Sequence, residues 1–196
     1  MTEAAVRPPG RPRSLVADDA IVDATIALLV EEGFDRLSMD AVASRAGVGK
    51  ATIYRRWCSK EALVIDAVAR RTDPLPVGPA DGSVRDRLVG LLEAILGTSR
   101  TGVGRLLPCM VGASVTNPTL AAHYREQIMA PRRARVAAVL RDGMAAGELR
   151  TDLDVEAAID QVVGPLVYRL VFAADRPARP RDCAAIVDLA LAGLAP

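Results

Sequence analysis

Apolar residues recur every three or four positions along almost the whole chain, and no stretch alternates strictly between apolar and polar as a half-buried strand does. The periodicity predicts an all-α protein of about nine helices without internal repeats. A first helix is expected from Asp18 to Glu32, with Ile21, Ala24, Thr25, Leu28 and Leu29 on one face, acidic residues at its positive end and Gly33 at its stop. Phe34 and Leu37 then cover its end. Ser38 is a good N-cap for a short second helix from Met39 to Ala46, and Gly47 supplies a turn that a β-carbon would obstruct. A third helix is expected from Lys50 to Trp57. Ser59 caps a fourth, Lys60 to Arg71, whose positions Leu63, Val64, Ala67 and Val68 form its apolar face.

The segment 73–82 reads DPLPVGPADG, too rich in proline and glycine to continue a helix. It divides the chain into a flexible arm (1–17), a small helical domain (18–72) and a larger helical domain (83–196). In the larger one, helices are expected near Ser83–Thr98, Val103–Thr116, Pro118–Ala146, Asp154–Ala174 and Pro180–Leu194. Asn117-Pro118 is a cap followed by a proline allowed in a first turn, Pro131 is expected to kink its helix, and Gly147 closes it. Ser83-Val-Arg-Asp86 has the spacing of a capping box.

Of the residues, 51% are hydrophobic, enough for a real core, while the formal net charge of +1 gives no global basic field. The charge is unevenly placed. Arg45, Lys50, Arg55, Arg56 and Lys60 lie in a stretch without acids, directly after a segment carrying Asp18, Asp19, Asp23, Glu31, Glu32 and Asp35. Both lysines of the chain fall in that basic stretch. No apolar run reaches the roughly 18 residues of a membrane span, and the start lacks a signal peptide's apolar core, so a cytoplasmic protein without membrane association is expected. Cys58, Cys109 and Cys183 lack metal-ligand or CxxC spacing, so free thiols and no metal are expected. With one histidine, no glycine-rich phosphate loop and no nucleophile elbow, no catalytic constellation and no cofactor site can be assembled, and an enzyme is not expected.

Ala43, Gly47, Val48 and Ile53 have the spacing of a helix-turn-helix: a small residue at the crossing, a glycine in the turn and aliphatics beneath. Ile53 and Trp57, four apart, are expected to point inward, which leaves Lys50, Thr52, Tyr54, Arg55 and Arg56 toward solvent or DNA. Eight residues make a rod of roughly 12 Å, matched to the major groove. Arg55 and Arg56 suit guanine edges, Thr52 a thymine methyl or a phosphate, and Lys50, Tyr54 and Lys60 phosphates. Ser38 joins them at the start of the second helix. Arg11 and Arg13, in Gly-Arg-Pro-Arg, form an arm of the kind that enters a narrow minor groove. Cys58 lies among Arg55, Arg56 and Lys60, cations that lower a thiol pKa; a redox-sensitive thiol and an inert small hydrophobe are the two readings.

Gly33-Phe34, Ser38-Met39-Asp40-Ala41-Val42-Ala43, Ala46-Gly47-Val48-Gly49-Lys50-Ala51-Thr52-Ile53-Tyr54 and Ser59-Lys60-Glu61-Ala62-Leu63 together resemble the N-terminal signature of TetR-family regulators. The resemblance covers about Asp18 to Arg70. It implies that the third helix reads the major groove, that Lys50, Thr52, Tyr54 and Lys60 contact DNA, and that the rest is a helical ligand-binding and dimerisation domain. It departs from the pattern at Trp57, where Phe is commoner, and at Cys58, where Pro is usual.

A single recognition helix makes few base contacts, so a homodimer on a double-stranded, two-fold operator is the physical expectation. Val155, Ile159, Val163, Leu166, Val167 and Leu170 on one late helix, with Ile186 and Leu189 on the next, are wider than one core-facing stripe and are the candidate dimer interface. Met110, Asn117, His123, Tyr124, Gln127, Met129, Tyr168 and Phe172 are candidates for a pocket that takes a small-molecule effector, although each also has an ordinary core or surface role. The resulting expectation is a sequence-specific DNA-binding regulator, a repressor released by its effector. The alternative is an effector-independent DNA-binding protein, either a constitutive regulator or a chromosome-organising factor.

Overall fold

A computed structural model describes residues 13–72, 82–100, 106–173, 175 and 177–195, with side chains from 16 to 97 and from 106 onward in those ranges. Among the described residues every regular element is helical: α1 (Arg13–Glu32), α2 (Met39–Ala46), α3 (Lys50–Tyr54), α4 (Lys60–Arg71), α5 (Val84–Arg100), α6 (Leu106–Thr116), α7 (Pro118–Tyr124), a π-helical turn (Arg125–Met129), α8 (Ala130–Ala145), α9 (Val155–Phe172) and α10 (Pro180–Leu194). Counting α7, the π turn and α8 as one interrupted rod gives nine helices.

The local punctuation works through hydrogen bonds. Ser38 Oγ accepts from Ala41 N (3.1 Å), Ser59 Oγ from Ala62 N (3.1 Å) and Asn117 Oδ1 from Leu120 N (2.9 Å), each satisfying an otherwise orphaned helical donor. Gly47 takes φ +65°, the left-handed conformation that lets the chain leave α2 and turn into α3. At Ser83 only half of the expected capping box forms, because its Oγ accepts from Asp86 N while its hydroxyl donates to the Asp86 carboxylate.

Three boundaries differ from the sequence expectation. Helix α1 begins at Arg13, because Arg13–Ala17 contains no glycine or proline to stop it; Asp18 and Asp19 therefore sit in its second turn, not at its positive end. Arg13 thus belongs to a helix and not to an extended arm, and Arg11 lies outside the described residues. Helix α3 closes at Tyr54, after which Arg56 N and Trp57 N both donate to Ile53 O (2.9 and 3.0 Å) as the chain turns to bury Trp57. The recognition rod is accordingly about 7.5 Å long. Before Pro131, which cannot donate and whose ring crowds the preceding turn, the helix widens into the π turn 125–129; the expected kink is a local change of helical period.

Two apolar cores hold the molecule together, and they do not follow the linker. One joins Ile21, Leu29, Ile53, Trp57, Leu63 and Val68 of the first domain to Leu106, Met110, Leu120, Tyr124 and Ile128 from beyond it. Thr25 is fully buried on this side and donates to Ile21 O. The other core unites α5, α8, α9 and α10 through Leu88, Leu91, Leu140, Ile159, Leu166 and Val187. At Gly143 of α8 a Cβ would come within 2.5 Å of Val84 Cγ2, so glycine in this helix interior is required by the close approach of α5.

Candidate nucleic-acid interface

Helices α2 and α3 form the expected helix-turn-helix. Val48 N donates to Ala43 O across the Gly47 turn (3.1 Å), and Ile53, fully buried, fixes α3 onto the head. Trp57 is also buried, and its indole N–H donates to Asp66 Oδ2 of α4 at 2.9 Å. Asp66 is in turn held by Arg70, one helical turn on (Nε to Oδ1, 3.0 Å). The end of α3 is therefore clamped to α4 by a side-chain chain of Trp57, Asp66 and Arg70.

The cations expected to meet DNA divide into two groups. Arg55 is exposed and forms no ion pair among the described residues, next to Tyr54, which is 55% exposed. Lys50 is exposed and paired with Asp40 of α2, a contact between two solvent-facing groups that a phosphate can replace. Ser38 is exposed and Thr52 half-buried. Arg56 instead turns back to Asp18 of α1 at 2.8 Å, with both side chains largely covered. Placing it on guanine edges would break that pair, which ties the turn after α3 to α1. Lys60 also faces inward. Its Nζ donates to Phe34 O at 3.0 Å, approaches Asp35 O at 3.5 Å, and stands 4.2 Å from the centroid of the Phe34 ring. An ammonium has three donors, and Lys60 directs its shortest bond at the α1–α2 loop. Arg45, outside the residues expected to contact DNA, is exposed and donates to Glu31 Oε2 at 2.7 Å. Cys58 is exposed, with a free thiol.

A polar tie links this head to the helices beyond the linker. Asn117, the cap of α7, donates through Nδ2 to Glu61 Oε1 of α4 at 3.0 Å. Burial works to raise the Glu61 pKa, but hydrogen bonds from its own amide, Asn117 and Ser59, with the Lys60 charge, outweigh it and hold the carboxyl below its ordinary 4.5. A depressed carboxylate stabilises the fold above its unfolded pKa and loses that contribution as pH falls through the folded value. The stability advantage of wild type over Glu61→Gln is therefore expected to be full at pH 7 and to shrink as pH drops below 4.5, read as urea midpoints across that range.

The candidate effector residues are not gathered into one cavity. Met110 and Tyr124 are buried in the core shared with the head, and burial raises the Tyr124 pKa. Met129 is half-buried against that core. Asn117 is committed to its cap and to Glu61, while His123 Nδ1 and Gln127 Nε2 face each other at 3.4 Å on one face of the rod. Tyr168 and Phe172 stand apart on α9, 62% and 69% exposed, with ring centroids 5.7 Å apart. In the subunit they form an outward apolar step.

The candidate dimer residues divide the same way. Ile159, Leu166 and Ile186 are buried inside the subunit, and Val155, Val163, Val167 and Leu170 are half-buried. Leu189 is 76% exposed. The outer stripe of α9 runs through Ala157, Gln161, Gly164, Pro165, Tyr168 and Phe172, and that of α10 through Ala185, Leu189 and Ala192, all exposed. The residues expected at the interface thus span both the inner stripe of these helices and, at Leu189, the outer one.

The architecture defines a helix-turn-helix DNA-binding regulator with an all-helical second region. Two family models match the chain: bacterial regulatory proteins of the tetR family over residues 21–67, and the tetracyclin repressor-like C-terminal domain over residues 79–190. The HTH-type transcriptional regulator YdeS of Bacillus subtilis (strain 168) is 39% identical over 168 residues, which cover 85% of this chain and 84% of the relative. The crystal structure of the TetR family transcription regulator SCO0332 superposes with a TM-score of 0.72 at 34% identity, covering 92% of this chain and 99% of that one. The flavonoid-responsive regulator FrrA superposes with a TM-score of 0.69 at 26% identity, covering 92% and 97%. The chain belongs to the TetR family and is a DNA-binding transcriptional regulator. Among the described residues no helix is long and apolar enough to cross a membrane.

Proposed function

We propose that the protein acts as a homodimeric repressor, occupies a two-fold operator through paired α3 helices, and leaves it when a small-molecule effector binds beyond the linker. The observation that carries this reading is the core continuous from Ile53 and Trp57 to Met110, Leu120 and Tyr124, which makes the angle of the DNA-reading head depend on how α6 and α7 pack. An effector that prefers one packing shifts the DNA-competent population by its differential affinity. Exposed apolar residues on the outward stripe of α9 and α10, Tyr168, Phe172 and Leu189 among them, support a two-fold pairing that would cover them. FrrA is named for its response to flavonoids, which supports small-molecule control in this chain without indicating the compound.

On DNA, Arg55 is assigned to base edges, and Ser38, Lys50, Thr52, Tyr54 and one donor of Lys60 to the sugar-phosphate backbone. Operators selected from random DNA, followed by fluorescence anisotropy, test this assignment. Arg55→Ala is expected to cost about 1–3 kcal/mol on the selected site and to relax preference at one base pair. Lys50→Ala is expected to weaken binding to all sequences and to lower the salt slope by about one. Equal binding by both variants and wild type would exclude this docking.

A further inference from the structure

A cleft of about 120 Å³ opens between the end of α4 and the π turn, with Ala69, Ile128 and Pro131 on its apolar side and Arg132 and Arg135 on its edge. Arg132 is half-buried there, and among the described residues it has neither an ion pair nor a hydrogen bond. Its neighbours in the fold differ. Arg133 is held by Glu156 and Asp160, Arg87 by Asp142 and Arg85 by Asp188. Burial pushes the Arg132 guanidinium below its ordinary value; Tyr124 opposes that shift and the like charge of Arg135 adds to it. Among the described residues lining the cleft none is acidic, so the half-buried Arg132 there is stabilised by an incoming anion.

The position and size of the cleft narrow the ligand. It lies beside a π turn, a helix irregularity frequent at functional sites. An apolar cavity of about 150 Å³ holds a benzene ring, so a cleft of about 120 Å³ takes one ring or a short chain and not a large polycycle. Its other wall is α4, the helix whose Asp66 holds Trp57 at the end of α3.

We propose that this cleft binds a monocarboxylate with a single-ring or short aliphatic body, its carboxylate on Arg132 and its carbons against Ala69, Ile128 and Pro131. Occupancy draws α8 and α4 together through the ligand. The site deepens the effector reading above, and rests on it only for the consequence at DNA.

The test is isothermal titration of the full-length protein with benzoate, phenylacetate and hexanoate at constant ionic strength, with benzamide and inorganic phosphate as the neutral and apolar-free arms. At least one acid is expected to bind once per subunit, at least about tenfold more tightly than benzamide or phosphate. Arg132→Gln is expected to weaken it at least about tenfold, and Arg132→Lys less, because the charge remains while the fork is lost. Ala69→Leu fills the apolar side without touching charge, and is expected to abolish binding even if Arg132→Gln fails to fold. The inference is overturned if none of the acids binds with a Kd below about 1 mM. Equal affinity for benzamide or phosphate, or binding unchanged in Ala69→Leu, also overturns it. Operator release is read separately by anisotropy: binding lost in Ala69→Leu but without release in wild type supports the cleft and removes the effector role assigned to it.

Discussion

Trp57→Ala is expected to lower the stability of the head by about 3–5 kcal/mol and to abolish specific operator binding. The indole is buried in the core shared with α6 and α7, so truncation opens a cavity that Ile53 and Leu63 cannot fill without moving α3. It also leaves Asp66 with only its Arg70 contact and frees the end of a helix just five residues long. Trp57→Phe separates the two effects. It keeps most of the packing and removes only the N–H bond at 2.9 Å, so a smaller loss of about 0.5–1.5 kcal/mol is expected, with reduced operator affinity. Urea denaturation with anisotropy on the selected operator reads both. A stability change under 1 kcal/mol for Trp57→Ala would show that α3 is held by something other than this clamp.

Phe172→Asp combined with Leu189→Asp is expected to convert the proposed homodimer to a monomer and to reduce operator affinity by at least about a hundredfold, since each half-site then binds alone. Both side chains are more than two-thirds exposed in the subunit, so the substitutions leave its core intact. In a two-fold interface each change occurs twice, which places four carboxylates in a region that must exclude water, and a buried unpaired charge costs several kcal/mol. Sedimentation should show the monomer, and thermal unfolding of that monomer should remain cooperative. The contrasting variant is Leu166→Ala, on the inner stripe of the same helix and fully buried. It is expected to destabilise the subunit by about 2–5 kcal/mol through a cavity. A dimer that survives the double aspartate variant would place the interface elsewhere.

These two expectations concern helices that the sequence located and surfaces that it did not. Helix α10 was legible from Pro180 to Leu194, and its partner α9 nearly to the residue, because apolar period and caps are written within a few positions. Which stripe faces outward was not, because both stripes of each helix are apolar and the choice depends on where α5 and α8 pack. The DNA-reading site shows the same division. Lys50, Tyr54 and Arg55 were assigned outward from the spacing of Ile53, and the structure leaves them there. What the sequence did not show is that Arg56 also pairs with Asp18 and Lys60 with Phe34 O, because a basic run carries no information about acids and carbonyls far along the chain.

By itself, the sequence determined what depends on neighbours within about one helical turn: the caps at Ser38, Ser59 and Asn117, the left-handed turn at Gly47, the order of helices and the helix-turn-helix. Only the tertiary structure decided what depends on partners distant in the chain. Asp18 claims Arg56, Phe34 claims Lys60, Asp66 claims Trp57 and Glu61 claims Asn117. It also decided that the linker at 73–82 divides the sequence but not the core, and that Gly143 is needed because α5 passes against it. The physical reason is range. Backbone hydrogen bonding and helical period act over three or four residues, whereas side-chain pairing and close packing are set only when separate helices meet.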